Sequence, residues 1–457
     1  MAKTNVKRRT RNKTSSSSAT TSLASIHAQR RNRLYKALGG TPLLVRAAPE
    51  VLRNGDVHFS YRQDSNFKYL TGFDEPESIL VCMPTSTGYE THYFVRPRDK
   101  DREIWDGPRA GTRGAVREYG ADHSYPISEF WDVFGKMAGD IDELAYALGS
   151  DPTFDAHVLR HFGARYTGRP RRNQGLPSFV DPRPALHEMR LIKSAEEIEL
   201  MRRAAEISAA GHRVAMSIAE PGMYEFEVQA ELEAVFRREG SPRNGYDSIV
   251  ATGKNACILH YVANNAKIKK GDLLLIDAGA EYGHYTADIT RTFPIAGSFS
   301  DAQRAVYDVV LRCQKKCVAL CKPGTTVKKL LETSWRELTK GLVELGILKG
   351  SVDKLVENKS YRPWYMHGLG HWLGMDVHDV GAYEDRSGKP MQLAPGMVTT
   401  IEPGLYFASN DKKVPKEFRG IGVRIEDDVL VTKSGPDVLT SGVPKEVREI
   451  EELTSIE

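Results

Sequence analysis

Two aspartates, Asp277 and Asp288, stand in the stretch Gly271–Pro294 (GDLLLIDAGAEYGHYTADITRTFP), each following apolar residues. Leu273–Ile276 lead to Asp277. Ala287 leads to Asp288, with Ile289 and Thr290 beyond. Gly279 and Tyr282-Gly283 mark a turn between the runs, so the stretch reads as a strand hairpin. Burying a carboxylate costs several kcal/mol unless a positive group meets it. Asp288 has Arg291 close by in sequence, whereas Asp277 has no basic neighbour. Two acids on adjacent strands, aimed at one place, imply a divalent cation. Taken alone, the pair does not outweigh the plainer reading of two exposed strand-end residues. Matching groups then follow in order. His367-Gly368-Leu369-Gly370-His371-Trp372 offers two imidazoles in a glycine-rich turn. Thr399-Thr400-Ile401-Glu402 ends a β-branched run on an acid, and the alternating Ile421, Val423, Ile425 run carries Glu426.

Asp277, Asp288, His371, Glu402 and Glu426 together resemble the five metal ligands of the pita-bread metallopeptidases, which include methionine aminopeptidase, prolidase, aminopeptidase P and creatinase. The sequence is most similar to bacterial aminopeptidase P. The likeness covers nearly the whole chain after about residue 34. Its supporting segments are Tyr61–Phe67, Leu70-Thr71-Gly72-Phe73, Arg183-Pro184, His187–Arg190, Ile258–Tyr261 and Asp376–Gly381. The resemblance implies two divalent metal ions, with Asp288 and Glu426 bridging, Asp277 on one ion, and His371 with Glu402 on the other. Four carboxylates offset the four charges of two such ions, and oxygen-rich ligation favours hard ions such as Mn2+ over Zn2+. It further implies a metal-bridging hydroxide that attacks the scissile carbonyl, with Glu402 shuttling the proton.

His260, His367 and His378 match family positions and are expected to contact substrate; which of them donates a proton stays open. A lone histidine is more often structural. His260 lies between Leu259 and Tyr261, so a core position also fits, and His378 falls in a strand-like run. His58, His92, His157, His161, His187 and His212 are read as structural, and His284 as exposed on the hairpin turn. Tyr406 and Arg424 match supporting positions. Arg424 precedes Glu426 by two, so on a strand both face one way, and its planar fork can orient an acid. A surface ion pair is the alternative. Trp105 matches a family tryptophan placed near a neighbouring subunit's active site; ordinary core packing competes evenly with that reading.

These residues need a scaffold. The 457-residue chain is too long for one ordinary core, and two domains are expected. Residues 34–175 mix strand-like runs (Ser78–Met83, Thr91–Val95) with helical stretches such as Ser128–Gly139, an α/β layer domain. The proline-rich stretch 168–184 reads as a linker. In 176–457, Ser194-x-x-Glu197 and Ser300-x-x-Gln303 are capping boxes that open helices. Further helices are expected over about Tyr224–Arg238 and Val327–Leu345. Helix pairs alternate with strand pairs roughly twice. The resemblance implies that this half is a pita-bread catalytic domain, a curved antiparallel sheet backed by helices, within an overall α/β (α+β) fold.

Net charge is +4, and no apolar run is long enough to span a bilayer. Residues 1–33 are basic and acid-free, and read as a disordered tail. A transit peptide and an anionic-surface contact are the other readings of that tail; nucleic acid is not the expected partner. The cysteine count of 5 is odd, which fits a reducing compartment, the cytoplasm, unless the tail directs the chain to an organelle. Cys313, Cys317 and Cys321 share one helix face; a soft-metal site is conceivable, but small-hydrophobe packing is the favoured reading. The expected activity is a metalloaminopeptidase acting where proline is second, assembled as a homodimer or homotetramer. Prolidase, restricted to Xaa-Pro dipeptides, is the nearest alternative. A non-catalytic binding module of the same fold is the alternative of another class, and the intact ligand set argues against it and against creatinase.

Overall fold

The structure is a computed structural model that describes residues 23–168, 175–295 and 297–455. It divides into two compact units, Met1–Ala185 and Leu186–Glu457. The first holds a six-stranded mixed sheet in the order His123–Pro126, Gly88–Val95, Ile79–Thr85, Leu43–Arg46, Glu143–Ala145, Ser178–Val180. Phe94, Phe130, Phe134 and Phe162 pack its core against the helices Phe130–Met137 and Pro152–Gly168.

Two boundaries differ from the expectation. The basic stretch expected to be disordered to residue 33 is a helix from Leu23 to Ala37; residues 1–22 lie outside the described residues. Composition counts its arginines as solvated charge, but Arg31 is 2% exposed. Its Nη1 donates to the Leu70 carbonyl at 2.8 Å and to the Tyr93 hydroxyl at 3.0 Å. Leu34 is fully buried beneath it. The expected linker is also partly built: Ser178–Val180 adds an edge strand and Arg183–Leu191 is helical, so the division falls after Ala185 rather than at 175.

The second unit alternates helix pairs with strands. Ser194 and Ser300 cap helices Ala195–Ile218 and Asp301–Ala319 through both hydrogen bonds of a capping box. Helix Glu225–Arg238 packs on the first and Val327–Glu344 on the second. The strands between them are all antiparallel: Ile249–Thr252, Leu273–Asp277 and Thr290–Pro294 in one group, Val398–Ile401, Asp427–Thr432 and Gly435–Val438 in another. Gly404–Tyr406 pairs with Gly422–Arg424. Cys313, Cys317 and Cys321 are fully buried in the apolar core between helices, and burial pushes the Cys313 and Cys321 thiols up, as small hydrophobes behave.

Candidate active site

Each acid of the set sits where a strand stops. Asp277 is the last residue of its strand, and Asp288 lies in the gap before Thr290–Pro294. Glu402 follows Val398–Ile401, and Glu426 falls between Gly422–Arg424 and Asp427–Thr432. All four line one cavity. The hairpin keeps a single register, Asp277 opposite Thr290 and Tyr282 opposite Tyr285. Alternation therefore puts Asp277, Asp288 and Thr290 on one face and Arg291 on the other. Gly279, which this register sets opposite Asp288, has no room for a side chain: a Cβ there would stand 1.7 Å from the Ala287 carbonyl oxygen.

Arg291 consequently does not partner Asp288, its sequence neighbour. It is buried on the back of the sheet, where Nη2 meets Asp427 Oδ1 at 2.7 Å and Nη1 donates to the carbonyls of Thr290 and Glu426. On the front, Thr290 Oγ1 donates to Glu426 Oε2 at 2.7 Å. His371 arrives on a turn held along the neighbouring strand: its N–H donates to Thr400 Oγ1, and Glu402 N–H donates to the Leu369 carbonyl. Gly370 permits this approach, since a Cβ there would lie 1.9 Å from the Thr400 carbonyl oxygen. His371 Nδ1–H donates to the Trp372 carbonyl at 3.0 Å, which leaves Nε2 facing the acids.

Asp288, His371 and Glu426 offer ligand atoms that all lie within 4.8 Å of one another. His371 Nε2 is 3.4 Å from Asp288 Oδ2 and 3.8 Å from Glu402 Oε1. Arg424 Nη2 is 2.6 Å from Asp277 Oδ2, and its other nitrogens reach the Tyr406 hydroxyl and Thr290 Oγ1, both at 3.1 Å. Arg424 is 4% exposed, so the surface ion-pair reading is overturned. The cluster is short of positive charge. Burial raises the Glu402 carboxyl to about 7, and burial with Asp288, Glu402 and Asp277 drives Glu426 well above the usual carboxylate range. Burial opposes charge on His371 too, but Asp288 and Glu402 outweigh it and lift the imidazole to about 9. Three buried carboxylates and the half-buried Glu402, facing one guanidinium and one imidazole, are the donor set and charge deficit that divalent cations satisfy.

The cavity has a volume of about 660 Å3, with Tyr246, His260, His367, His378 and Tyr383 on its walls. His260 is exposed to it, not packed in a core. His378 is also exposed, on an irregular segment rather than a strand, with its ring centroid 4.2 Å from that of His371. That segment is anchored by a buried pairing of Lys193 Nζ with Asp379 Oδ2 at 3.0 Å, joined by Arg190. His367 has both nitrogens engaged: Nδ1–H donates to the Gly368 carbonyl, and Nε2 accepts from the Tyr406 hydroxyl at 2.8 Å. His284, expected on an exposed turn, is 8% exposed; it and Gly283 supply the two positive-φ residues of the tight hairpin turn. His212 is structural as expected, buried and bonded to the Ala278 carbonyl. Trp105, on helix Lys100–Asp106 of the first unit, is 84% exposed, so it is no core residue.

Tyr246 was not legible in the sequence. Its hydroxyl lies 2.6 Å from Asp277 Oδ1 and also reaches Asp288 Oδ1, and burial beside those acids keeps it protonated. No periodicity around Asn244-Gly245-Tyr246 marks it. Thr290 carried a usable signal, since it stands two residues after Asp288 and so on the same face.

A family model for metallopeptidase family M24 matches residues 199–433, and one for the aminopeptidase P N-terminal domain matches residues 27–145. The chain is 45% identical to the Xaa-Pro aminopeptidase of Escherichia coli (strain K12), over 91% of this chain and 93% of that protein. Among solved structures, the Pseudomonas aeruginosa aminopeptidase PepP superposes with a TM-score of 0.91 at 47% identity, covering 94% of this chain and 98% of that one. Zn-substituted E. coli aminopeptidase P in complex with product gives a TM-score of 0.90 at 43% identity, over 94% and 98%.

Proposed function

The chain belongs to metallopeptidase family M24, and we propose that it removes the N-terminal residue from peptides whose second residue is proline. The observation that carries this is the convergence of Asp288, His371 and Glu426 within 4.8 Å, in a cavity that Asp277 and Glu402 also line. These five residues would hold two divalent ions. The donor chemistry supports Mn2+ as the native ion. When bound, the ions polarise the scissile carbonyl and acidify the attacking water.

The chain's own side chains do the rest. Glu402, which lines the cavity with Oε1 3.8 Å from His371 Nε2, would take a proton from the attacking water and pass it to the leaving proline nitrogen. His260 and His378 stand on the cavity wall, where ring N–H groups can stabilise the carbonyl oxygen as it gains charge. His367, with both nitrogens engaged, positions Tyr406, which in turn receives Arg424. Arg424 fixes one Asp277 oxygen and leaves the other to Tyr246. An imide has no N–H to recognise, so the ring must be read by apolar surface; Leu259, Val262, Val377 and Tyr383 supply it. Trp105, with its exposed indole, serves a second copy of the chain in a homodimer or homotetramer. The free cysteines fit a reducing cytoplasm.

The test compares an Xaa-Pro dipeptide with an Xaa-Pro-Yaa tripeptide, with Mn2+ and after chelation, beside an Asp277→Ala control. Release of the first residue from the tripeptide, lost in the control, supports the aminopeptidase. Cleavage of the dipeptide alone moves the assignment to prolidase. Failure on both, with no stoichiometric metal, sinks the peptidase reading.

A further inference from the structure

Glu225 is buried, with none of its surface exposed, yet among the described residues it forms no ion pair. It is the first residue of helix Glu225–Arg238, where the helix N-terminus favours negative charge. Its carboxylate is instead met by four donors, all from the segment 252–266. Oε1 accepts from Thr252 N–H at 2.7 Å and from Asn255 Nδ2 at 3.0 Å. Oε2 accepts from the Tyr261 hydroxyl and from Ala266 N–H, both at 2.8 Å. Glu225 N–H in turn donates to the Ala266 carbonyl at 3.0 Å. One side chain therefore ties down both ends of this segment and a residue at its tip.

The tip carries His260, next to Tyr261. Its neighbours Ile258 and Val262 are 54% and 52% exposed, so little packing holds the outer part of the loop. No described residue hydrogen-bonds the His260 ring. Where the imidazole sits in the cavity is thus set by the loop backbone and by the hydroxyl of the adjacent tyrosine. We infer that Glu225 is a positioning residue for the reaction, acting through the 252–266 loop to hold His260 at the cavity wall. The inference rests on the proposed role of His260 toward substrate.

The test is a double-mutant cycle in kcat and KM on an Xaa-Pro-Yaa tripeptide, using metal-loaded wild type, Glu225→Gln, His260→Ala and the double variant. The amide of Glu225→Gln presents an NH2 to two of the four donors and so releases half of the clamp. Outer residues that orient an active group cost about 10-fold when altered, and partners in one pathway are not additive. Glu225→Gln should therefore lower kcat/KM about 10-fold in wild type but less than about twofold once His260 is alanine. The loss should fall in the same parameter, kcat or KM, that His260→Ala changes. An equal factor in both backgrounds would mean general structural support and overturn the inference, as would no loss in the wild-type background. If His260→Ala alone leaves kcat/KM unchanged, the reading of His260 fails and the inference falls with it, an outcome separable from the first two. If Glu225→Gln does not fold, Tyr261→Phe, which deletes one donor, carries the same cycle.

Discussion

Asp427→Asn should cost the protein about 3–5 kcal/mol, the usual penalty for breaking a buried pair and stranding its partner. The carboxylate has no exposed surface, and neither does Arg291 opposite it. Oδ1 accepts from Arg291 Nη2 at 2.7 Å and Thr440 Oγ1 at 2.9 Å; Oδ2 accepts from Gln314 Nε2 at 2.7 Å and from Lys445. An asparagine keeps one oxygen for Arg291 and Thr440 but turns an NH2 toward Gln314 and Lys445, so two donor contacts become repulsive. Hydrogen bonds to a charged group contribute roughly 1.5–3 kcal/mol each, so losing two costs about 3–6 kcal/mol, which brackets that figure. Burial opposes the charge on Asp427, but Arg291 and Lys445 outweigh it and hold the carboxyl below its ordinary value of 3.8. A depressed folded value means that the stability is present above the unfolded value and lost as pH falls through the folded one. The gap between wild type and variant should thus be full at neutral pH and close in strong acid. Urea unfolding followed through Trp364 and Trp372, which are 4% and 0% exposed in the catalytic unit, reads it. Because Arg291 also donates to the Glu426 carbonyl, metal affinity should fall in step. A loss below about 1 kcal/mol at neutral pH, the level of an ordinary substitution, would refute this account of the pair.

Arg424→Lys keeps a charge near Asp277 but loses the fork to Tyr406 and Thr290; kcat/KM should drop about 10- to 100-fold, and wild-type activity would dismiss that role. Tyr246→Phe deletes the hydroxyl shared by Asp277 and Asp288, and titration with Mn2+ should show metal affinity weakened about 10-fold. Burial holds His212 at about 4 against an ordinary 6.5. It is buried neutral, so its share of stability is complete above 6.5 and lost as pH falls toward 4, at most roughly 3 kcal/mol. Unfolding of wild type and His212→Gln across that window should show the variant losing less; parallel curves would remove the assignment.

Much of the candidate site was legible because its signals are short-range. An acid at the end of a β-branched run, as at Ile401-Glu402, contradicts a strand pattern within a few residues. The capping boxes at Ser194 and Ser300 act over three residues, and the structure keeps both. The two-residue spacing of Arg424 and Glu426 also placed them together on the cavity lining, although Glu426 lies just past the strand that ends at Arg424. Residues 23–33 depart from the expected disorder for the opposite reason: composition averages over a segment, while Arg31 is anchored by two specific acceptors 39 and 62 residues away.

The sequence by itself determined which residue types stand at strand ends and in what order, since propensity, alternation and capping are local properties of the chain. Only the tertiary structure decided which charge meets which. Arg291 lies three residues from Asp288 but pairs with Asp427, 136 residues on, because strand alternation turns it to the opposite face. Asp277, without a basic neighbour in sequence, receives Arg424 from 147 residues away. Tyr246 and Glu225 gain their roles in the same way, from loops and strands that packing alone brings within hydrogen-bond reach. Partner choice over such distances is fixed by side-chain direction and core packing, which no local pattern encodes.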